Sequence, residues 1–450
     1  MPSPADSDLQ IETIAPKALR PWSRNARTHS KKQIRQIARS IETFGFTNPV
    51  LIDSDATILA GHGRVVAAKE LGLKTVPCVR LEGMSPEQKR AYVLADNKLA
   101  LNAGWDEQLL AEELQALVEL DAAFDVSVTG FEIAEIDSLI DGLEPADGCD
   151  PAEEELPDVD TDRVVTKRGD VWILGPHRLI CGDALDGETY DRLMRGEEGQ
   201  MVFTDPPYNV AVNGHLSNRG KIKHRDFAMA NGEMSAGAFT GFLTKAFKNL
   251  AANSADGSIH FICMDWRHMR EMLDAGDEAY DELKNLIVWA KDNAGMGAFY
   301  RSRHEMIFAY KAGQAAHINT FELGQHGRNR TNVWSYRGMS GFHRDRGDAL
   351  ALHPTVKPVE MIADAIKDVS KRGGLVLDAF AGSGSTLLAA HKTGRHARLI
   401  ELDPVYVDRI VRRWQTYAND DAVLEATGER FDALALDPTT RVDEVEEGGA

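Results

Sequence analysis

Alternating apolar strands and amphipathic helices in the C-terminal two thirds of the chain most constrain its fold. From about residue 166 onward, six short apolar segments predict strands: MVFTD, SIHFICMD, NLIVWAK, EMIFAYK, GLVLDAF and ARLIELD. Helical patterns such as MSAGAFTGFLTKAFKNLA and PVEMIADAIKDVS separate some of them. Strands that alternate with helices in this way predict an α/β fold with a mostly parallel, doubly wound sheet.

The rest of the chain divides by pattern, and a length of 450 residues favours two or three domains. In the first hundred residues, KKQIRQIARSIETFG places Ile34, Ile37 and Ile41 on one helical face, and short strands follow. This predicts a small α/β domain. The predicted divisions are an N-terminal domain (1–100), a helical extension (101–145), an acidic linker (146–165), the main domain (166–431) and an acidic, disordered tail (432–450).

Negative charge is concentrated in three of these divisions, the helical extension, the acidic linker and the tail. The net charge is −19, yet residues 1–100 carry +5, residues 101–165 carry −19, residues 432–450 carry −5, and residues 166–431 are neutral. The acidic balance therefore does not exclude a polyanionic partner, because binding depends on local patches.

The chain also predicts a compartment. It has no run of 18 apolar residues, and its first residues, MPSPADSDLQ, lack the basic start and apolar stretch of a signal peptide. The four cysteines are far apart and form no C-x-x-C pair, so neither a metal site nor a disulfide frame is expected. We expect a cytoplasmic protein without a membrane partner.

A strand that runs into Asp205, Pro206, Pro207 and Tyr208 ends in an unusual way. Neither proline can donate a backbone hydrogen bond, and each fixes its own φ angle. The segment is therefore either a turn after a buried strand or a rigid catalytic segment.

A second strand leads into a loop of small residues, DAFAGSGST, after which a helix begins at about Thr386. Glycines let a ligand approach the backbone, and a helix N-terminus offers free N–H groups. A phosphate-cradling loop would need a lysine after the second glycine, which is not present. Glu401 follows Asp378 by 23 residues, at the end of the next strand, where an acid can bind ribose hydroxyls. A nucleoside ligand is predicted, and an ordinary strand–turn–helix corner is the alternative.

Together, DAFAGSGST and TDPPY resemble the cofactor loop and catalytic motif of S-adenosylmethionine-dependent amino-group DNA methyltransferases. The catalytic motif precedes the cofactor loop, an order that resembles the β class. GDAL (182–185), RSRHEMIFAYK and HPTVKP (353–358) also resemble segments of this family. The resemblance implies a Rossmann-like methyltransferase sheet with permuted motif order and S-adenosylmethionine as cofactor.

The resemblance also implies roles for individual residues. The catalytic ones would be Asp205, Pro206, Pro207 and Tyr208. The cofactor-binding ones would be Asp183, Thr355, Lys357, Asp378, Phe380, Ala381, Gly382, Ser383, Gly384, Ser385, Thr386, Glu401 and Asp403.

The chemistry of an exocyclic amine accounts for such a motif. The lone pair of this amine is conjugated with the ring, so the enzyme must localise it and hold it in line with the methyl group. Asp205 and the carbonyl of Pro206 can accept its hydrogen bonds, and Tyr208 offers a face for a base taken out of the duplex. The form DPPY resembles that of adenine-N6 enzymes more than that of cytosine-N4 enzymes, so the resemblance implies adenine N6, with cytosine N4 as the alternative. Ring-carbon methylation needs a cysteine nucleophile, typically one that follows a proline. The only Pro-Cys pair in the sequence is Pro77-Cys78, and we expect Cys78 to be a core residue in a buried strand.

Double-stranded DNA is the expected partner, and basic residues on both sides of the proposed pocket are its candidate contacts. They are Arg219, Lys221, Lys223 and Arg225, and then Arg328, Arg330, Arg337, Arg344 and Arg346. The second group lies in 312–352, a basic and aromatic stretch without a clear period that we interpret as a target-recognition region. A solvated loop is the alternative. A homodimer is left open.

ILAGHGRVVAAKELG in the N-terminal domain resembles the ParB/sulfiredoxin-like domain. Its signature here is Gly61, His62, Gly63 and Arg64, and the loop precedes a helix, so an anion could bind there. A structural or DNA-docking role is the alternative. At the level of the whole chain, the competing hypothesis is a ParB-like regulatory protein with a vestigial methyltransferase half. Whether the enzyme belongs to a restriction–modification pair is also left open.

Overall fold

The computed structural model describes residues 9–120, 124–143, 153, 157, 163–209, 233–292, 299–320, 330–337 and 356–436. The chain divides into two compact units, Met1–Leu143 and Glu144–Ala450.

The first unit is built on a four-stranded sheet. Its elements are β1 (Ile11–Ile14), α1 (Lys31–Phe44), β2 (Val50–Ile52), β3 (Ile58–Ala60), α2 (His62–Glu70), β4 (Val76–Arg80) and α3 (Pro86–Ala100). The strand order is β1-β4-β2-β3, with β2 parallel to β4 and the other pairs antiparallel. Val50, Val65 and Cys78 are buried in its core. Ser30 caps α1 by accepting from the Gln33 N–H, and Gly45 ends it at φ 78°.

Two further helices complete the first unit. These are α4 (Glu107–Leu120) and α5 (Ile133–Asp141), with a 3-10 turn at Val126–Thr129 between them. Leu114, Val126 and Ile136 bury their side chains together. Both helices lie in the segment predicted as a helical extension, 101–145.

The second unit contains a ten-stranded sheet. Its strands are β5 (Val171–Leu174), β6 (His177–Cys181), β7 (Gly199–Thr204), β8 (Ser254–Met264), β9 (Glu282–Ala290), β10 (His304–Ala312), β11 (Val333–Ser335), β12 (Leu375–Asp378), β13 (His396–Glu401) and β14 (Val423–Leu424). Its helices are α6 (Gly187–Met194), α7 (Ala236–Ala252), α8 (Met269–Ala279), α9 (Val359–Val369), α10 (Ser385–Lys392), α11 (Pro404–Ala418) and α12 (Phe431–Leu436). The order is β11-β9-β10-β8-β7-β12-β13-β6-β5-β14.

The centre of this sheet is parallel and both of its faces are covered. Pairs β8–β7, β7–β12, β12–β13 and β13–β6 are parallel, and antiparallel strands flank them. Residues of α6, α7 and α8 pack on one face, and residues of α9, α10 and α11 pack on the other. The predicted doubly wound α/β fold is therefore confirmed. The strand that ends before Asp205 precedes in sequence the strand that ends at Asp378, so the order is permuted as expected.

Four described strands of this sheet, β5, β6, β11 and β14, were not predicted from the sequence. The stretch 312–352 shows no period, yet β11 lies within it and pairs in parallel with β9. A strand of three residues is too short to show an alternation pattern, and only its pairing partner defines it.

Central core strands should carry most of the stability of the second unit. Leu399 on β13 is fully buried, whereas Leu283 on β9 is 40% exposed. Leu399→Ala should lower the free energy of unfolding by about 2–5 kcal/mol, because it removes apolar contacts and leaves a cavity. Leu283→Ala is the matched control and should cost about 1 kcal/mol or less. Urea titration measures both, and equal losses would contradict the buried position of Leu399.

Candidate active site

Three carboxylates lie at the ends of neighbouring strands. Asp205 directly follows β7, Asp378 ends β12 and Glu401 ends β13. Because β7, β12 and β13 run parallel, their carboxyl ends meet at one edge of the sheet, where α/β folds bind their ligands. The Thr204 hydroxyl donates to Asp378 Oδ1 at 2.7 Å, which joins the first two strand ends directly.

The segment from Asp205 to Asn209, which follows β7, is held by contacts at both of its ends. Pro206 is buried, and Asn209 turns the chain at φ 50°, in the left-handed region. The Asn209 side chain donates to the carbonyl of Met234 at 2.8 Å and accepts from the N–H of Met234 at 3.2 Å. The segment between Asp205 and Asn209 is therefore anchored at its two ends, as a fixed carbonyl acceptor at Pro206 requires.

A buried network of charges surrounds Asp205. Lys357 is 5% exposed, and its Nζ lies 2.5 Å from Asp205 Oδ2 and 3.2 Å from Glu305 Oε2. The Tyr208 hydroxyl donates to Asp205 Oδ1 at 2.7 Å and lies 3.2 Å from Glu305 Oε2. Lys291 pairs with Glu305 Oε1. Two acids and two lysines thus balance each other around the Tyr208 hydroxyl.

Burial and pairing shift the pKa values of these groups in opposite directions. Burial raises the pKa of Asp205, and the ammonium of Lys357 opposes that shift. Burial would also raise the pKa of Glu305, but the ammonium groups of Lys357 and Lys291 hold it at about 2. Despite burial, the two carboxylates raise the pKa of Lys357. Glu305 and Lys357 therefore stay charged at neutral pH.

The loop after β12 has open space at one of its two glycines. Gly382 and Gly384 have φ values of 53° and 82°, in the region that favours glycine. A Cβ on Gly384 would meet Ile410 at 3.0 Å, whereas a Cβ on Gly382 would meet only a backbone oxygen at 3.8 Å. From behind, the buried Arg413 donates to the carbonyl of Ser383 at 2.8 Å. The loop therefore has a packed rear side and a free approach at Gly382.

Glu401 is tied to the same loop. Its Oε2 accepts from the Gly382 N–H at 2.8 Å, and its Oε1 accepts from the Asp403 N–H at 3.0 Å. Burial raises the pKa of Glu401 to about 7 and that of Asp378 to about 6. Asp403 also caps α11 by accepting from the Val405 N–H. A carboxylate held in this way beside a glycine has the chemistry to accept hydroxyl hydrogen bonds.

Asp183 lies two residues past the end of β6, which neighbours β13. Its Oδ1 accepts from the Leu185 N–H at 2.8 Å, and Gly182 donates to the carbonyl of Glu401 at 2.9 Å. The structure therefore places Asp183 and Glu401 on adjacent strand ends. Phe380, Ala381, Ser383, Ser385 and Thr386 all belong to the loop and the start of α10. Thr355 lies outside the described residues.

Most candidate DNA contacts also lie outside the described residues: Arg219, Lys221, Lys223, Arg225, Arg328, Arg344 and Arg346. Arg337 is described and exposed. Arg330 is held by Asp364 and Asp368, each at 3.1 Å, and lies over the Trp334 ring. Its guanidinium thus connects β11 to α9.

The GHGR loop in the first unit packs on its own neighbours. Gly61 has φ 95° and precedes α2, and a Cβ there would meet the Arg64 guanidinium at 2.9 Å. A Cβ on Gly63 would meet Ile37 at 3.0 Å. His62 Nε2 accepts from the Trp22 N–H at 3.2 Å, and Arg64 donates to the carbonyl of Pro49 at 3.2 Å. Local packing accounts for both glycines, and anion binding stays a prediction.

Sequence reasoning missed three charged residues of the second unit. Glu305 and Lys291 complete the network around Asp205, and Arg413 supports the loop after β12. The position of Glu305 at the start of β10 was a signal for this residue, because it places an acid at the beginning of a buried strand. Nothing in the local pattern marks Lys291 or Arg413.

Comparison with protein families agrees with this geometry. Residues 200–412 match the family model described as DNA methylase, and residues 4–98 match the ParB N-terminal domain. Residues 108–168 match a ParB-methyltransferase HTH domain, which the sequence analysis did not predict.

The chain belongs to the N6/N4 DNA methylase family and carries a ParB-type N-terminal domain. It is a DNA methyltransferase of the class that modifies exocyclic amines, and its cofactor is S-adenosylmethionine, as the sequence predicts. DNA is accordingly its partner.

Individual proteins resemble parts of this chain. The ParB-like nuclease domain-containing protein YnaK of Escherichia coli K12 is 53% identical over 72 residues, which are 16% of this chain and 83% of that protein. The structure of M1.HpyAVI is 17% identical and covers 52% of this chain and 96% of its own, with a TM-score of 0.37. TTHA0409 of Thermus thermophilus, complexed with S-adenosyl-L-methionine, is 21% identical over 53% of this chain and 93% of its own, with a TM-score of 0.37.

Two features are absent from the described part of the chain. No helix there is long and apolar enough to cross a membrane. No group of three or more His, Cys, Asp or Glu side chains in the same residues could hold a metal ion.

Lys357 should be important for stability as well as for charge balance. Lys357→Met leaves Asp205 and Glu305 without the cation between them, so we expect a loss of about 3–5 kcal/mol in the free energy of unfolding at pH 8. Lys248→Met is the control, because Lys248 and Glu278 pair at 3.3 Å on the surface, where such a pair contributes about 1 kcal/mol or less. Urea titration measures the free energy of unfolding of both variants. Equal losses in the two would contradict the buried network.

Proposed function

We propose that the enzyme methylates N6 of adenine in double-stranded DNA, with Asp205, Pro206, Pro207 and Tyr208 as its catalytic residues. The observation that carries this proposal is the position of Asp205 at the carboxyl end of β7, beside the loop that follows β12. The form DPPY supports adenine over cytosine N4.

In this proposal the chain's own groups make the amine reactive. Asp205 and the Pro206 carbonyl accept the two N–H bonds of the amine, which draws its nitrogen toward a tetrahedral form with a directed lone pair. When bound, S-adenosylmethionine would supply a methyl group attached to a cationic sulfur. The sulfur would leave as a neutral thioether. As the nitrogen–carbon bond forms, the nitrogen becomes cationic, and Asp205 stabilises that charge and accepts the proton. Tyr208 offers its ring to the flipped base.

The loop after β12 and the acids beside it suit the cofactor. Glu401 would accept the ribose hydroxyls, Asp183 would face the adenosyl group, and the open approach at Gly382 would admit the ligand to the backbone. Phe380–Thr386, Asp378, Asp403 and Thr355 complete the proposed set. We move Lys357 from this set to the catalytic network, because its ammonium contacts Asp205 and Glu305.

The remaining assignments extend this proposal to the duplex. The basic residues of 218–225 and 328–346 would contact phosphates, and Arg337 is exposed as such a contact requires. Arg330 is excluded from that set because its charge is already paired. The ParB-type domain would dock the enzyme on DNA.

Asp205→Ala should abolish methyl transfer, because the amine loses its carboxylate acceptor. Labelled-methyl transfer to unmethylated DNA measures the loss, expected to be at least about 10³-fold, and mass analysis of the nucleosides identifies the product. Cys78→Ala is the matched control and should retain transfer, because Cys78 lies buried in the first unit. N4-methylcytosine in place of N6-methyladenine would contradict the choice of base. DNA binding by the wild type with no transfer would favour the regulatory hypothesis.

Cofactor affinity should depend on the ionisation of Glu401. With the pKa of Glu401 at about 7 before binding, hydroxyl donors favour the ionised form, so the affinity should rise as pH increases from 6 to 8. Because one proton is coupled to binding, the affinity for S-adenosylmethionine can rise by at most about tenfold per pH unit below that pKa. Calorimetric titration with S-adenosylmethionine measures it. Glu401→Gln should bind more weakly and lose the step near pH 7, while any step due to the ligand's own amino group remains. A step that persists unchanged in this variant would contradict the role of Glu401.

A further inference from the structure

The Lys357 ammonium lies between two carboxylates that belong to different strands. Asp205 follows β7, and Glu305 lies on β10, two strands away in the sheet. Nζ is 2.5 Å from Asp205 Oδ2 and 3.2 Å from Glu305 Oε2. Lys357 is almost fully buried, so solvent screens neither contact effectively.

This position conflicts with the proposed chemistry at Asp205. Tyr208 donates to Oδ1 and Lys357 donates to Oδ2, so both carboxylate oxygens already have a donor. The base amine must donate to the same carboxylate and then becomes cationic as the methyl group arrives. An ammonium that stayed 2.5 Å from Asp205 would compete for its oxygen and repel that new charge.

Glu305 offers the ammonium a second counter-ion. Its Oε2 lies within 3.2 Å of both the Lys357 Nζ and the Tyr208 hydroxyl. Its Oε1 is held by Lys291, so the carboxylate is fixed in place. The two lysines keep the pKa of Glu305 near 2 against the effect of burial, so it is charged at neutral pH.

We propose that Glu305 is a positioning residue that draws the Lys357 ammonium from Asp205 when the base amine arrives. Lys357 then moves from one buried carboxylate to the other and never lacks a partner. Asp205 becomes free to accept the amine, and the nearest positive charge is neutralised by Glu305. This inference rests on the proposed function of Asp205 and adds a residue that the catalytic motif does not contain.

Glu305→Gln tests the proposal because the amide keeps the size of the side chain and removes its charge. Lys357 then stays on Asp205, so kcat should fall by about 10- to 100-fold. The KM for S-adenosylmethionine should stay within about twofold, because the loss is confined to the transition state. Glu305→Asp keeps the charge and should recover part of kcat.

The acid side of the kcat profile gives a readout that a purely structural role would not move. The groups facing Asp205 are Lys357, Tyr208, Glu305, Cys263 and Asp378. Of these, Glu305 raises the pKa of Asp205 and Lys357 lowers it. Glu305→Gln removes the first effect and keeps the second, so the acid limb that reports Asp205 should shift to lower pH.

A matched control separates the movement of the Lys357 ammonium from a general loss of structure. Glu425 also accepts from two arginines, Arg178 at 2.6 Å and Arg195 at 2.5 Å, but lies at the β5–β14 side of the sheet. Glu425→Gln should keep the wild-type kcat and acid limb. In the Lys357→Met background, Glu305→Gln should lower kcat by less than about twofold, because the ammonium that Glu305 attracts is absent.

The outcomes separate this inference from the function on which it rests. Wild-type kcat and an unmoved acid limb in Glu305→Gln would overturn the inference alone, as would an undiminished cost in the Lys357→Met background. Wild-type enzyme that transfers no methyl group to any DNA would overturn the proposed function and this inference together.

Discussion

Parallel pairing of β7, β12 and β13 is the constraint on which the site depends. Each of these strands is short and buried, and each ends at or next to a carboxylate that could not be buried inside the sheet without a large cost. The parallel register brings Asp205, Asp378 and Glu401 to one edge, where loops and helix ends supply hydrogen-bond donors. The motif order along the chain does not matter for this arrangement, since strand neighbours decide which ends meet.

The edge divides into two electrostatic environments. Around Glu401 and Asp378 the partners are backbone N–H groups and hydroxyls, so burial raises the pKa of both acids and leaves them responsive to a ligand. Around Asp205 the partners are two lysines, a second carboxylate and a phenol, so charges persist at low exposure. The first environment suits the neutral ribose hydroxyls of a ligand, and the second suits a group that becomes cationic during the reaction.

Loops and helix ends in both units depend on glycine for specific reasons. Gly384 lies against Ile410 with no room for a side chain, and Gly61 and Gly63 lie against Arg64 and Ile37. Gly382 differs, because its missing side chain leaves space open. Two similar glycine-rich sequences can therefore serve packing in one domain and ligand approach in the other, and the difference appears only in the surroundings of each Cα.

The sequence alone determined the α/β class and the permuted order of motifs, because strand periodicity and short motifs are local properties. The cofactor and the enzyme class followed from the resemblance of those motifs to a known family. The sequence did not reveal the network around Asp205, since Lys291, Glu305 and Lys357 come from segments up to 152 residues away from it. It placed Lys357 with the cofactor, because a motif identifies a residue but not the direction of a flexible side chain. Only the antiparallel pairing of β10 with β8 and β9, together with burial that excludes water, decided which charges meet at Asp205.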